Sequence, residues 1–195
     1  MPSCCHHNEK GPSPIAQLRA EHEVILRAVT VLERVGQDLE EGKTVDSNWL
    51  VWLVDFFSNF VDGCHHEKEE HGLFPLLEQH GIPREGGPVG MMIQEHEQGR
   101  DLIRALSFMS ESERERIPEI IRRYSVLLRG HIKKENEVLF HLAEQVLSDQ
   151  AQRELAQAFH AMEKRNVGAG VHQRFIAELE QLEALSTKLS GERAS

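Results

Sequence analysis

Apolar residues recur at steps of three and four along four long stretches of the chain, each bounded by Pro, Gly or a capping residue, and no stretch alternates like a strand. The pattern predicts an all-α protein. A first helix is expected from Pro14 to Glu41, ended by Gly42, and a second from a cap at Asp46 or Ser47 to Gln79, ahead of the loop GIPREGGP. The third opens at Pro88, a residue suited to a first helical turn, and stops near Ser110. The fourth begins after Ser110 or Ser112 and reaches Leu147, with Pro118 tolerated in its first turns. Short loops between four long helices imply an antiparallel up-down-up-down four-helix bundle. Two extra C-terminal helices, Ser148 to Asn166 and Val171 to Leu189, follow. The expected organisation is a disordered tail over 1–13, a bundle over 14–147 and a helical extension over 148–195 packed on it.

The inward seams interrupt their apolar residues at matched places. Helix 1 reads Leu18, His22, Ile25, Val29, Leu32, and helix 3 reads Met92, His96, Gly99, Ile103, Leu106; both histidines sit in the tripeptide Glu-His-Glu. The seam of helix 2 contains His65, Glu69 and Leu73, and that of helix 4 contains His131, Glu135 and Leu139. The chain is therefore two copies of a helical hairpin, each bringing a histidine and then His-x-x-x-Glu. Residues four apart share a helix face, so each motif presents an imidazole and a carboxylate one turn apart. A carboxylate left uncompensated inside a bundle costs several kcal/mol, and no Lys or Arg lies on those two seams. A divalent metal meets the need, since it neutralises glutamate and takes neutral imidazole as a ligand. Four His and two Glu suit two ions, each taking two His and sharing both Glu, with a position left open on each. The donor mixture suits iron, with manganese and zinc as alternatives.

The strings LRAEHE, CHHEKEEHGLFP, IQEHEQGR and HIKKENEVLF resemble the hemerythrin-like HHE cation-binding family over roughly residues 14 to 147. The resemblance implies a four-helix bundle around a non-haem di-iron centre of two Fe ions per chain. By motif the metal ligands are His22, His65, Glu69, His96, His131 and Glu135. The oxygen carriers have a further histidine where this chain has Arg100 and end on an aspartate, so the chain is more similar to the bacterial and iron-sensing branch.

Other candidates carry blander readings. His66, about 100° around an α-helix from His65, is open between a fifth ligand and a hydrogen-bonding role behind the ligands. Glu67 and Glu70 read as solvated charges or as partners for the neighbours of Lys68, Tyr124 as core packing, and Gly99 as room beside the metal or a close helix approach. Cys64 reads as a small buried residue. Cys4, Cys5, His6 and His7 cannot easily converge on one ion and read as tail. His71, His80, His141, His160 and His172 have no matched counterpart. The stripe Val171, Phe175, Leu179, Leu182, Leu185 and Leu189 packs on the bundle, with a homodimer through these helices as the rival.

Composition narrows the function. In 195 residues, 32 acidic and 22 basic side chains leave a charge of −10, which argues against nucleic acid and anionic membrane as partners. The longest apolar run, Trp49 to Val54, is too short to span a bilayer and no secretory leader is expected. Three cysteines form no disulfide framework, so a cytoplasmic location is expected. Twelve histidines then dominate the chemistry. The favoured reading is binding or sensing of oxygen, nitric oxide or iron. A di-iron enzyme consuming peroxide or handling nitric oxide is the alternative, and a metal-stapled interaction module is the third reading.

Overall fold

A computed structural model describes residues 12–109, 111–166 and 170–191, with the side chains of 111–112, 166 and 185–191 excepted. The tail cysteines and histidines, and the side chains of Leu185 and Leu189, lie outside the described residues. Helix α1 spans Pro14–Glu40. Ser13 caps it by accepting from the Ala16 amide at 3.1 Å, and Gly42 supplies the left-handed turn after it, at φ 70°. The second rod starts as α2, Ser47–Phe56, capped by Asp46, whose carboxylate accepts from the Asn48 amide at 2.9 Å. It continues through π-helical turns at Phe57–His66 and Glu69–Leu73 and ends as α3, Phe74–Gln79. The following loop folds tightly onto the start of α4, Pro88–Ser107, where a Cβ on Gly87 would lie 2.0 Å from the Pro83 carbonyl oxygen. A 3₁₀ segment, Glu111–Arg116, leads into α5, Ile117–Lys134, then a π turn, Glu135–Leu139, and α6, Phe140–Val146.

These four rods form the antiparallel bundle, in which α5 packs against both α1 and α4 and the second rod closes the ring. Arg129 ties α5 to α1 through Glu33, Nε to Oε1 at 2.8 Å. Two further helices, α7 (Asp149–Asn166) and α8 (Val171–Gly191), lie on the bundle. Leu155 and Phe159 of α7 are buried with Leu73, Phe74 and Leu139 at one end, and Phe175 and Leu179 of α8 with Phe56 and Phe60 at the other. The stripe on α8 is thus used inside the chain as far as Leu179.

The core is split in two. One apolar cluster runs from Ile25 through Phe57 and Tyr124 to Leu128, the other from Leu18 through Leu73 and Met92 to Phe140. Between them every rod contributes buried polar residues: His22, His65 with His66 and Glu69, His96, and His131 with Glu135. The polar layer is where the chemistry must lie.

Candidate metal centre

The histidine and glutamate positions are held by an unusual local backbone. Both glutamates of the His-x-x-x-Glu motifs open a π turn, at Glu69–Leu73 and Glu135–Leu139. A π turn closes i→i+5 and holds more residues than an α turn, so successive side chains rotate by less than about 100°. In the longer π stretch this allows the adjacent His65 and His66 both to face inward, at 1% and 5% exposure.

The six residues expected as ligands converge. His22 Nε2 lies 3.1 Å and His131 Nε2 3.2 Å from the same oxygen, Glu135 Oε2. Glu69 divides its oxygens: Oε1 is 3.6 Å from His65 Nε2 and Oε2 is 3.5 Å from His96 Nε2. His96 and His131 bring their Nε2 atoms within 3.0 Å of each other. Donor atoms of His22, His65, Glu69 and Glu135 lie within 4.8 Å of one another, and so do those of His66, Glu69, His96 and His131. Glu69 belongs to both groups. The fourfold histidine symmetry expected from the repeat is therefore broken by His66, which stacks on His96 with ring centroids 3.7 Å apart.

Each imidazole is oriented from behind. The Nδ1 atoms of His22, His65, His66, His96 and His131 meet Asn136 Oδ1 (3.0 Å), Glu21 Oε2 (2.9 Å), Asp62 Oδ1 (3.3 Å), Glu70 Oε1 (2.7 Å) and Glu95 Oε2 (3.0 Å). Acceptors there fix the tautomer that carries hydrogen on Nδ1 and leave Nε2 free to coordinate. Cations hold the acceptors in turn: Lys68 on Glu21, Arg100 on Glu70 and on Asp62 (2.7 Å), and Lys134 on Glu95. The reading of Glu70 as a solvated charge is corrected, since it orients His96 and its side chain is 19% exposed. Lys68, next to Glu69 in sequence, is fully buried.

The layer is not balanced without a cation. Burial, the Glu135 charge and Glu21 push the Glu69 carboxyl well above its usual range. Burial opposes ionisation of Glu135 too, but the charge of His131 and the nearness of His22 to the same carboxylate hold it well below that range. His131, despite burial, is raised to about 9 by Glu135 and Glu95, whereas burial lowers His65 to about 4 against the pull of Glu21. Glu21 is held at about 2, where the His65 hydrogen bond and the charges of His65 and Lys68 outweigh its burial. Most tellingly, Nε2 of His22, His65 and His66 and all four oxygens of Glu69 and Glu135 are buried without a hydrogen-bond partner. Buried polar atoms without partners are rare in native proteins, and seven facing one another are what a metal cluster requires.

A cavity of about 260 Å³ reaches the layer from the side of His66, His96 and His131, lined farther out by Phe57, Gly99 and Tyr124. Tyr124 packs edge-on against Phe57 at 4.9 Å, in keeping with a core role. His71 and His141 are mostly exposed, and His80 caps its own helix by meeting the Leu76 carbonyl at 2.8 Å. No described helix is long and apolar enough to cross a membrane.

Residues 13–143 match the family described as the hemerythrin HHE cation binding domain. The chain belongs to that family. It is an all-α protein with a four-helix hemerythrin-like core plus extra C-terminal helices, and its clustered His/Glu site is consistent with di-iron binding and ligand sensing. Compared with curated proteins and with solved structures, the chain finds no match.

Proposed function

We propose that the chain is a non-haem di-iron protein that binds or senses a small diatomic or iron itself, with His22, His65, Glu69, His96, His131 and Glu135 as ligands and His66 as a seventh. The observation that carries this reading is the set of seven buried, partnerless donor atoms. His22 and His65 would hold one ion, and His66, His96 and His131 the other. The separate oxygens of Glu69, reaching toward His65 and His96, support a bridging role, and so does Glu135 Oε2 between His22 and His131. When bound, such ions supply a redox centre and Lewis acid for oxygen-containing ligands or nitric oxide. The protein's own part is to fix the imidazoles through their Nδ1 partners, to bring negative charge through both glutamates, and to exclude bulk water with the apolar clusters above and below.

Metal analysis of purified protein tests the assignment. We expect close to two irons per chain, reduced in each of His22→Ala and His96→Ala, and one lost preferentially in His66→Ala. Full metal content in all three would remove the ligand set. Absorption of the iron-loaded, anaerobically reduced protein should change on admitting oxygen or nitric oxide; a spectrum indifferent to both would leave metal binding without ligand sensing. A second reading is a peroxide-consuming enzyme, for which the cavity beside His66, His96 and His131 gives a small polar molecule a path to the layer. That reading requires hydrogen peroxide loss that is abolished in a Glu69→Ala, Glu135→Ala variant.

A further inference from the structure

A second group of ligand-type side chains lies where the two C-terminal helices meet the bundle. Cys64 comes from the second rod, Glu163 from α7 and His172 from the first turn of α8. One donor atom from each lies within 4.8 Å of the other two. Cys64 is buried and unpaired with any other thiol among the described residues. The His172 ring rests on Phe60, centroids 4.8 Å apart, and its Nδ1 is buried with no hydrogen-bond partner. Glu163 is engaged on one side only: Lys68 Nζ and Gln17 Nε2 each meet its Oε1 at 2.7 Å, which leaves Oε2 without a partner among the described residues.

We propose that Cys64, Glu163 and His172 form a separate, mononuclear site for a zinc-type divalent cation. The donor set of thiolate, imidazole and carboxylate is the one such an ion accepts, and its bonds of about 2.0 to 2.3 Å place neighbouring donors about 3.5 Å apart. Donors already within 4.8 Å reach that spacing by small side-chain rotations. Three protein ligands leave the fourth position open. It faces a cavity of about 760 Å³ lined by the same three residues together with Ala20, His160 and Lys164, which gives the ion an entry path. The ammonium of Lys68 stands beside two of the three residues, on Glu163 Oε1 and hydrogen-bonded with Cys64, but it also serves the buried Glu21. Two carboxylates against one ammonium leave room for a cation. The site joins three elements distant in sequence, so metal there fastens α7 and α8 to the bundle directly behind the Glu21 carboxylate that orients His65.

Cobalt(II) tests this in the full-length, iron-loaded protein carrying Cys4→Ser and Cys5→Ser, in which Cys64 is the only thiol. We expect one further equivalent of cobalt per chain with a thiolate-to-cobalt charge-transfer absorption, displaced by zinc. That absorption should be absent in Cys64→Ser, and His172→Ala should weaken binding about ten-fold or more. Zinc should also slow alkylation of Cys64. Cobalt uptake without the thiolate absorption, or an affinity unchanged in both His172→Ala and Glu163→Gln, would overturn the proposal. The absorption is specific to a metal-bound sulfur, so it reports on this site whether or not the His/Glu centre takes iron, and an intact iron content in Cys64→Ser would separate the two sites.

Discussion

At the scale of single residues, the direction of five imidazole rings decides what the protein is able to bind. Each Nδ1 is occupied by an oxygen acceptor, so each Nε2 is offered inward. Glu95 makes the point in isolation: it lies outside the cluster, yet it orients His131 at 3.0 Å and is itself pinned by Lys134. Glu95→Ala should lower iron affinity by about 10- to 100-fold while leaving the fold intact, as read by competition with a chelator and by far-ultraviolet circular dichroism. The inner six residues were legible because a titratable side chain on an apolar seam breaks a visible pattern, and because the break occurs twice. The orienting residues were not. Glu21 and Glu95 open the two matched Glu-His-Glu tripeptides and Glu70 follows Glu69, but none of the three lies on a seam, and each orients a histidine of another helix, which the sequence pattern does not display. His66 stayed open between two roles for a different reason: on an α-helix it points away from His65, and only the π turn brings both inward.

At the scale of elements, helix positions followed from periodicity and caps, but the kind of helix did not. The π turns at Glu69–Leu73 and Glu135–Leu139 repeat at equivalent places in the two hairpins, so the internal repeat extends to the backbone itself. Neither propensity nor hydrophobic period distinguishes such a turn from an α turn over five residues. Helix approach is likewise set by atoms that are missing from the sequence pattern. At Gly72 a Cβ would meet Phe159 Cε1 at 2.9 Å and Leu155 Cδ1 at 3.2 Å, whereas at Gly130 on α5 it would meet nothing within 4 Å. Gly72→Ala should therefore push α7 off the bundle and destabilise by about 1 to 3 kcal/mol. Gly130→Ala should stabilise by about 0.5 to 1 kcal/mol, through helix propensity alone. Urea unfolding of the two variants checks the opposite signs, and equal midpoints would remove the packing account of α7.

At the scale of the whole molecule, the polar layer makes stability, protonation and metal loading one coupled equilibrium. Without metal, burial keeps His65, His66 and His96 neutral below the pH at which an unfolded histidine, at 6.5, takes up a proton. The unfolded chain then binds more protons, so acidification below about pH 6.5 favours unfolding. On the other side His131 keeps its proton to about 9, so between pH 6.5 and 9 the folded chain binds more protons. Stability falls there too, and the apoprotein should be most stable near pH 6.5. Metal removes that retained proton, because a ligating imidazole is deprotonated. Loading at pH 7.5 should therefore release about one proton per chain, that of His131, measurable as a dependence of the calorimetric binding enthalpy on the ionisation enthalpy of the buffer. The same substitution of metal for protons should abolish the alkaline decline, so that thermal midpoints of loaded and apo protein diverge progressively from pH 6.5 to pH 9. Parallel profiles with no proton release would mean that the buried donors do not hand their charge over to a metal, and the di-metal reading would go with them.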